Sequence, residues 1–553
     1  MRIVVRGGRI YDPANGTDGD VRDLWIEDGR IIDAPEDGVA GRTIDATGGV
    51  VMAGAVDLHT HIAGLAVDRA RRLLAGGQAP SPPLARGKPR ASGATLEGAT
   101  ETLVVPGADE TAREYLRLGY TTAIDAAIPA VASRLGHLEL REARGIDRGF
   151  LLLLGNHELI LDLLDRGEVE RAREVVAFLL ERSGALGIKS VNAGGVAHWK
   201  RFATPCGDVG EPVAGRAIAP RDILAFLADC ADAFQLPHPL HIHAAKLGRA
   251  GNIETTLETA RVLEGRRRHF AHVGFHCFGE DEGGGRTSAV ERWIEHLASD
   301  PLVTCDVGQV LFGRTVTITA DQEVAFGLWK LSRSPFVTLD IELEAAYGSC
   351  PIDYVPNARA TALQWAIGLE LFLLSPDPWR VVFSTDHPNG ASFVSYPTLV
   401  ALLMDRELRR SVLETLHPRV VERSVVRDLD REYSFYEIAT ITRAAPARIL
   451  GLRDKGHLGP GADADVVIYD DVPDREAMFR RPRVVIRAGE VVVEKGELRE
   501  RPAGHTWRVA PGSERDGERT FAEWFGQRGS FALAQLGPRD SDLDGSRVAG
   551  ARR

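Results

Sequence analysis

The chain has 553 residues, 44% of them hydrophobic, and a formal net charge of −11, which suits a large soluble barrel with a smaller domain attached. The acidic balance argues against nucleic acid as a general partner, and no apolar run approaches the ~18 residues of a membrane span. Five scattered cysteines (Cys206, Cys230, Cys277, Cys305, Cys350) form no C-x-x-C pair, which argues against a disulfide framework or an iron–sulfur centre.

The opening stretch, "MRIVVRGGRIYDP", reads as a strand and a turn and lacks the long apolar core of a signal peptide, so a cytoplasmic protein is expected. Residues 1–52 alternate apolar and polar positions between Gly, Asp and Pro breaks. The same style returns in "ADADVVIYDD" and "PRVVIRAGEVVVEKGEL", around residues 462–498. One β-domain assembled from 1–52 and 450–504 is predicted, with 53–449 folding as its own unit. That middle part alternates strand-like and helix-like segments. Candidate strands are 55–62, 121–128, 149–156, 185–191, 239–244, 269–275, 302–310 and 380–386, with helical stretches such as "DETAREYLRLG" and "PRDILAFLADCADAF" between them. Eight strands with helical crossovers predict an α/β fold, a (β/α)8 barrel. "FVTLDIEL" (336–343) competes for the seventh place. Residues 76–100, rich in Pro, Gly and Ala, read as a long loop, and 279–287 ("GEDEGGGRT") as a flexible turn. The extension 505–553 is polar and is expected to be partly disordered.

Chemistry gathers at the strand ends. In "DLHTHIAG", His59 and His61 are two residues apart and so share a strand face, which suits either a divalent metal or a hydrogen-bonded pair. "HPLHIHAAK" adds His238, His241 and His243, and "HFAHVGFH" adds His269, His272 and His276. "FSTDHPNG" ends on Asp386 and His387. Four such ends are hard to ascribe to unrelated core histidines. Lys189, in the apolar "GIKSV", is one of only seven lysines among 67 basic residues. It is either paired to a buried carboxylate or carboxylated by carbon dioxide to a carbamate, chemistry that needs a neutral amine and that arginine cannot replace.

H-x-H, Lys, His, His and Asp over successive strands, with "STDHP" and the exit stretch 441–470, resemble the amidohydrolase superfamily. "LPHPLHIHAAKLGRAGN", "GIKSVNAGGVAHWK", "HFAHVGFHCFG" and "STDHPNGASF" resemble more narrowly the A subunits of formylmethanofuran dehydrogenase and of the formyltransferase/hydrolase complex. The resemblance implies a metal-dependent formamide hydrolase of one-carbon metabolism, converting N-formylmethanofuran and water to formate and methanofuran, with other subunits of such a complex as partners. The arginine-rich composition points to the version found in methylotrophic bacteria. The resemblance also implies one metal on His59, His61 and Asp386, a second on His243 and His272, and carboxylated Lys189 bridging them. Zinc suits those donors. Asp386 would in addition carry a proton from the attacking water to the leaving amine.

Asn192, His198, His276 and His387 are candidates for holding substrate. His157 and Cys206 are weighed between the site mouth and plain structure. The alternatives are a cyclic-amide hydrolase such as a dihydropyrimidinase or dihydroorotase, an N-acyl-amino-acid deacylase, or a scaffold subunit without activity.

Overall fold

The computed structural model describes residues 2–74, 104–213, 215–332, 336–344, 346–513, 515–543 and 545–550. The loop expected at 76–100 lies outside them. Eight parallel strands follow one another in chain order around a single sheet: Ala55–Thr60 (β1), Tyr120–Pro129 (β2), Asp147–Leu153 (β3), Gly187–Val191 (β4), Leu240–His243 (β5), Arg268–Phe270 (β6), Val303–Asp306 (β7) and Val381–Val382 (β8). Strands such as β3 and β4 are buried at every position, as strands covered on both faces must be, which explains their continuous apolar runs. The circle closes where Thr60 bridges His387 in parallel and the His61 N–H donates to the His387 carbonyl at 2.9 Å. Among the described residues, no helix is long and apolar enough to cross a membrane.

The competition for the seventh place goes to Val303–Asp306. Val337–Leu339 instead joins Gly313–Thr319 and Tyr347–Tyr354 in a three-stranded antiparallel sheet that carries the helix Gln322–Ser332. This excursion between β7 and β8 covers the carboxyl ends of the barrel strands. It packs on the helix Leu65–Leu74 through a separate apolar cluster that includes Val67, Ala70, Val316, Ile318 and Ile341. The turn expected at 279–287 is the tip of a hairpin that pairs Phe278–Glu280 with Arg286–Ser288, its backbone N–H groups held by Asp281.

The two chain ends meet in one nine-stranded sheet. Gly49–Ala53 pairs antiparallel with Val466–Asp470, so the strand leading into β1 lies beside one from the far end of the sequence. Between this sheet and the barrel lies an ionic cluster shielded from water. Lys455 Nζ is 2.5 Å from Asp147, 2.7 Å from Asp465 and 2.9 Å from Asp463, and Arg487 pairs with Asp147.

The extension beyond 505 departs from the expected disorder. His505 accepts from the Arg148 N–H at 2.9 Å, Val509 N–H donates to Ala185 at 2.8 Å, and the helix Arg515–Arg528 lies along Val169–Ser183. The reason is an apolar stripe within polar surroundings: Phe521, Trp524 and Phe525, spaced three and four apart, share one helix face. Phe521 is fully buried, with its ring 5.5 Å from that of Phe178. Phe521→Ala is expected to destabilise the protein by about 3–5 kcal/mol, seen as a lowered thermal midpoint, whereas a disordered tail would leave the midpoint unchanged.

Candidate metal centre

A cavity of ≈ 290 Å3 opens at the carboxyl ends of the barrel strands, and His59, His61, Lys189, His243, His272 and Asp386 all line it. They come from β1, β4, β5 and the residues just past β1, β6 and β8, which is where a parallel barrel presents side chains to a ligand. The excursion forms the opposite wall with Ile318, Val324, Leu328 and Tyr354, and the ion pair between Arg249 and Glu323 sits on the lining. Tyr354 donates its hydroxyl to the Asn389 carbonyl at 3.1 Å, and Asn389 Oδ1 accepts from the Ile318 N–H at 2.6 Å. These contacts tie the wall to the loop that carries Asp386.

The backbone at this rim is unusual. Asn192, His272 and Asp386 have φ values of 41°, 33° and 51°, in a region that side-chain-bearing residues seldom occupy. Asp386 is held there by its N–H to Ser384 Oγ at 2.7 Å and by its carbonyl, which accepts from the Asn389 N–H at 2.6 Å. Gly308 passes so close to His272 that a β-carbon on it would fall 2.4 Å from His272 Cβ.

Asp386 Oδ1 lies 3.1 Å from His59 Nε2 and 3.2 Å from His61 Nε2. Donor atoms of His59, His272 and Asp386 fall within 4.8 Å of one another, as do those of His243, His272 and His276. Lys189 Nζ, His243 Nε2, His272 Nδ1 and Asp386 Oδ1 are buried without a hydrogen-bond partner. Leaving such groups unmatched costs about 1–3 kcal/mol each, so converging orphans of this kind fit a cation.

Electrostatics agree with that fit. Burial pushes the His272 imidazole down to about 3, leaving it neutral and able to ligate. At Asp386 burial favours the proton, but His272 and His59 outweigh it, and the carboxyl stays well below its ordinary range. At His59 burial disfavours the charged ring, yet Asp306 and Asp386 overcome it and raise it to about 9. A metal in place of that proton would satisfy the same carboxylates. Burial lowers the Lys189 amine to about 8, against the pull of Asp306 and Asp386, which brings the neutral amine needed for carboxylation close to neutral pH.

The four candidates for substrate contact fall elsewhere. Asn192 donates to Asp321 Oδ2 at 2.9 Å and anchors the excursion helix to the end of β4. His198, on the helix Gly195–Phe202, is half-buried near Thr204, with 3.4 Å between Nε2 and Oγ1. His276 is fully buried behind His243 and His272. His387 packs edge-on to Phe393 and contributes its carbonyl to barrel closure. None of the four lines the cavity. Their neighbours in sequence do, but the turns after the strands rotate these side chains away. His157 is packed against Trp524 and lies 3.5 Å from Glu344, a structural position. Cys206 is half-buried beside His243 and Asn192, its thiol pushed up by burial.

Sequence reasoning missed Asp306 and Asp125. Asp306 ends β7, in the same kind of place that marked Asp386 for attention, and that position was the available signal. Asp125 lies in mid-strand and accepts from the Ile62 and Ala63 N–H groups at 2.7 and 3.0 Å. No local pattern marks it.

An amidohydrolase family model matches residues 42–493. The chain is 41% identical over 504 residues to a protein of Methylorubrum extorquens described as the A-type component of the formyltransferase/hydrolase complex Fhc, covering 90% of this chain and 89% of that one. It is 35% identical over 525 residues to protein FwdA of Methanocaldococcus jannaschii, covering 92% and 90%. Its fold superposes with a TM-score of 0.92 and 38% identity on a chain of the formyltransferase/hydrolase complex from Methylorubrum extorquens solved with methylofuran, each chain covered in full. Likeness along nearly the whole length, on a barrel whose strand ends carry these donors, settles the kinship: the chain belongs to the amidohydrolase family.

Proposed function

We propose that the protein is a formamide hydrolase that carries two metals, acts on an N-formyl amine of the methanofuran type, and works as the hydrolytic subunit of a formyltransferase/hydrolase complex. The observation that carries the reading is the convergence of His59, His61, Lys189, His243, His272 and Asp386 on one cavity, with Lys189 Nζ buried and unmatched. The relatives named for such a complex support the substrate and the partners.

His59, His61 and Asp386 would hold one cation, His243 and His272 the other, and Lys189 as a carbamate would bridge them. The nitrogen and oxygen donors suit zinc. Bound there, the cations supply Lewis acidity at the formyl oxygen and make a water nucleophilic at neutral pH. The chain supplies the rest. The reaction is R–NH–CHO + H2O → R–NH3+ + HCOO−, in which a C–O bond forms and the C–N bond breaks. Asp386, ionised at the cavity floor, takes a proton from the attacking water and hands it to the nitrogen, so that the amine does not have to leave as an anion. The wall built from 313–354 keeps bulk water away from the reacting carbon.

The test offers N-formyl amines of this type, N-acetyl amines, hydantoin and dihydroorotate side by side to the metal-loaded protein. Formate release from the first alone is expected. Hydrolysis of a cyclic amide without formate release would replace this reading, and no turnover of any of them would favour a scaffold. Lys189→Ala is expected to reduce bound metal from two per chain to one or fewer. It should lower formate release by more than the ~10- to 100-fold carried by groups one step removed from a metal. Mass spectrometry of the intact wild-type chain under non-denaturing conditions should show one added carbon dioxide that Lys189→Ala lacks.

A further inference from the structure

We infer that Asp306 is a positioning residue which, with the buried imidazole row behind His59, fixes the tautomer of His59 so that only Nε2 is free to meet a metal. The inference rests on the two-metal reading above. Asp306 is fully buried, and its acid is held far below the usual range: burial opposes this, but His59 and His269 prevail. A carboxylate in that state only accepts hydrogen bonds. His59 Nδ1 is 3.0 Å from Asp306 Oδ2, so Nδ1 carries the hydrogen, and the lone pair is left on Nε2, the atom 3.1 Å from Asp386.

A second line of contacts leads to the same tautomer. His238 Nδ1 lies 3.1 Å from the Ile449 carbonyl, which can only accept, so that Nδ1 donates. His238 Nε2 must then accept from His241 Nδ1 at 3.0 Å. His241 Nε2 in turn accepts from His59 Nδ1 at 3.2 Å. A backbone carbonyl at the closed end of the barrel therefore sets the tautomer of a residue at its mouth, through two neutral rings. His238 is kept neutral by burial, which pushes it down to about 3.

Asp306 also reaches the second half of the site. Its Oδ1 accepts from the His272 N–H at 3.0 Å, which holds His272 in its positive-φ conformation beside Gly308. His269 Nε2 donates to Oδ2 at 3.2 Å, and its Nδ1 faces Thr304 Oγ1 at 2.8 Å. One carboxylate thus orients a proposed ligand of each metal. Groups in this relation to a metal ligand commonly change affinity by about 10- to 100-fold.

In Asp306→Asn the amide can offer a hydrogen to His59 Nδ1, which allows the other tautomer and closes Nε2 to metal. The test strips the wild type and Asp306→Asn of metal and titrates each with zinc against a competing chelator, and with cobalt by visible absorption. Expected is a loss of about 10- to 100-fold in affinity at the His59 site, an altered cobalt spectrum, and a metal-free thermal midpoint close to wild type. Wild-type affinity and spectrum in Asp306→Asn would overturn the inference. A wild type that binds no pair of metals would overturn the two-metal reading instead. Asp306→Ser serves as a second variant, and failure of both to fold would overturn positioning in favour of a purely architectural role.

Discussion

Replacing Asp386 by asparagine is expected to lower formate release by about 10^2- to 10^4-fold while the protein, supplied with excess zinc, still binds metal. The two effects separate because the carboxylate is assigned two tasks. As a ligand it contributes one oxygen among several donors, and an asparagine carbonyl oxygen can occupy the same place. As a proton carrier it must be ionised when water attacks, which its location between His59, His61 and His272 ensures. Asparagine cannot take up that proton. Metal content and single-turnover formate release, measured on the same preparation, decide the matter: near-normal hydrolysis in Asp386→Asn would remove the shuttle from the mechanism, whereas loss of both metals would reduce Asp386 to a ligand.

Lys455→Met is expected to destabilise the protein by about 3–5 kcal/mol, because it strands Asp147, Asp463 and Asp465 without their shared cation. Methionine keeps the length of the side chain, so the loss is electrostatic rather than a cavity. The wild-type cluster also predicts a pH profile. At Asp147 burial raises the carboxyl, but Arg487 and Lys455 outweigh it and hold it far below its ordinary range, and Asp463 is lowered in the same manner. A depressed carboxylate adds stability above its unfolded value of about 3.9 and loses it as pH falls toward the folded value. Burial lowers the Lys455 amine, but Asp147 and Asp465 raise it overall, so its contribution is complete below the unfolded value of about 10.4 and declines as pH rises past it. Stability from the cluster should therefore be flat between about pH 4 and pH 10 and fall on either side. Denaturant midpoints across that range, for wild type and Lys455→Met, measure it; an unchanged midpoint in the variant would mean the cluster contributes little.

The barrel strands were legible because a strand covered on both faces is written as one short apolar run, and eight such runs with helical stretches between them leave few other architectures. His59 and His61 were legible because a period of two is local, and Asp386 because it follows such a run. The tail was misread because polar residues outnumber the stripe of Phe521, Trp524 and Phe525, and only the facing helix Val169–Ser183 makes that stripe a buried surface. The expectation that Asn192, His198, His276 and His387 touch substrate rested on their nearness in sequence to ligand candidates. A single turn after a strand is enough to point a side chain elsewhere.

By itself, then, the order of residues determined which chemical groups stand at the strand ends and which fold would carry them, because side-chain alternation and apolar runs act over a few residues. Only the tertiary structure decided that residues from 59 to 386 share one cavity, that Lys189 is shut away from water, and that Asp306 and the row from His238 govern one ring of His59. Those facts depend on how the barrel closes and on which nitrogen meets which oxygen, contacts made across hundreds of residues that no local pattern encodes.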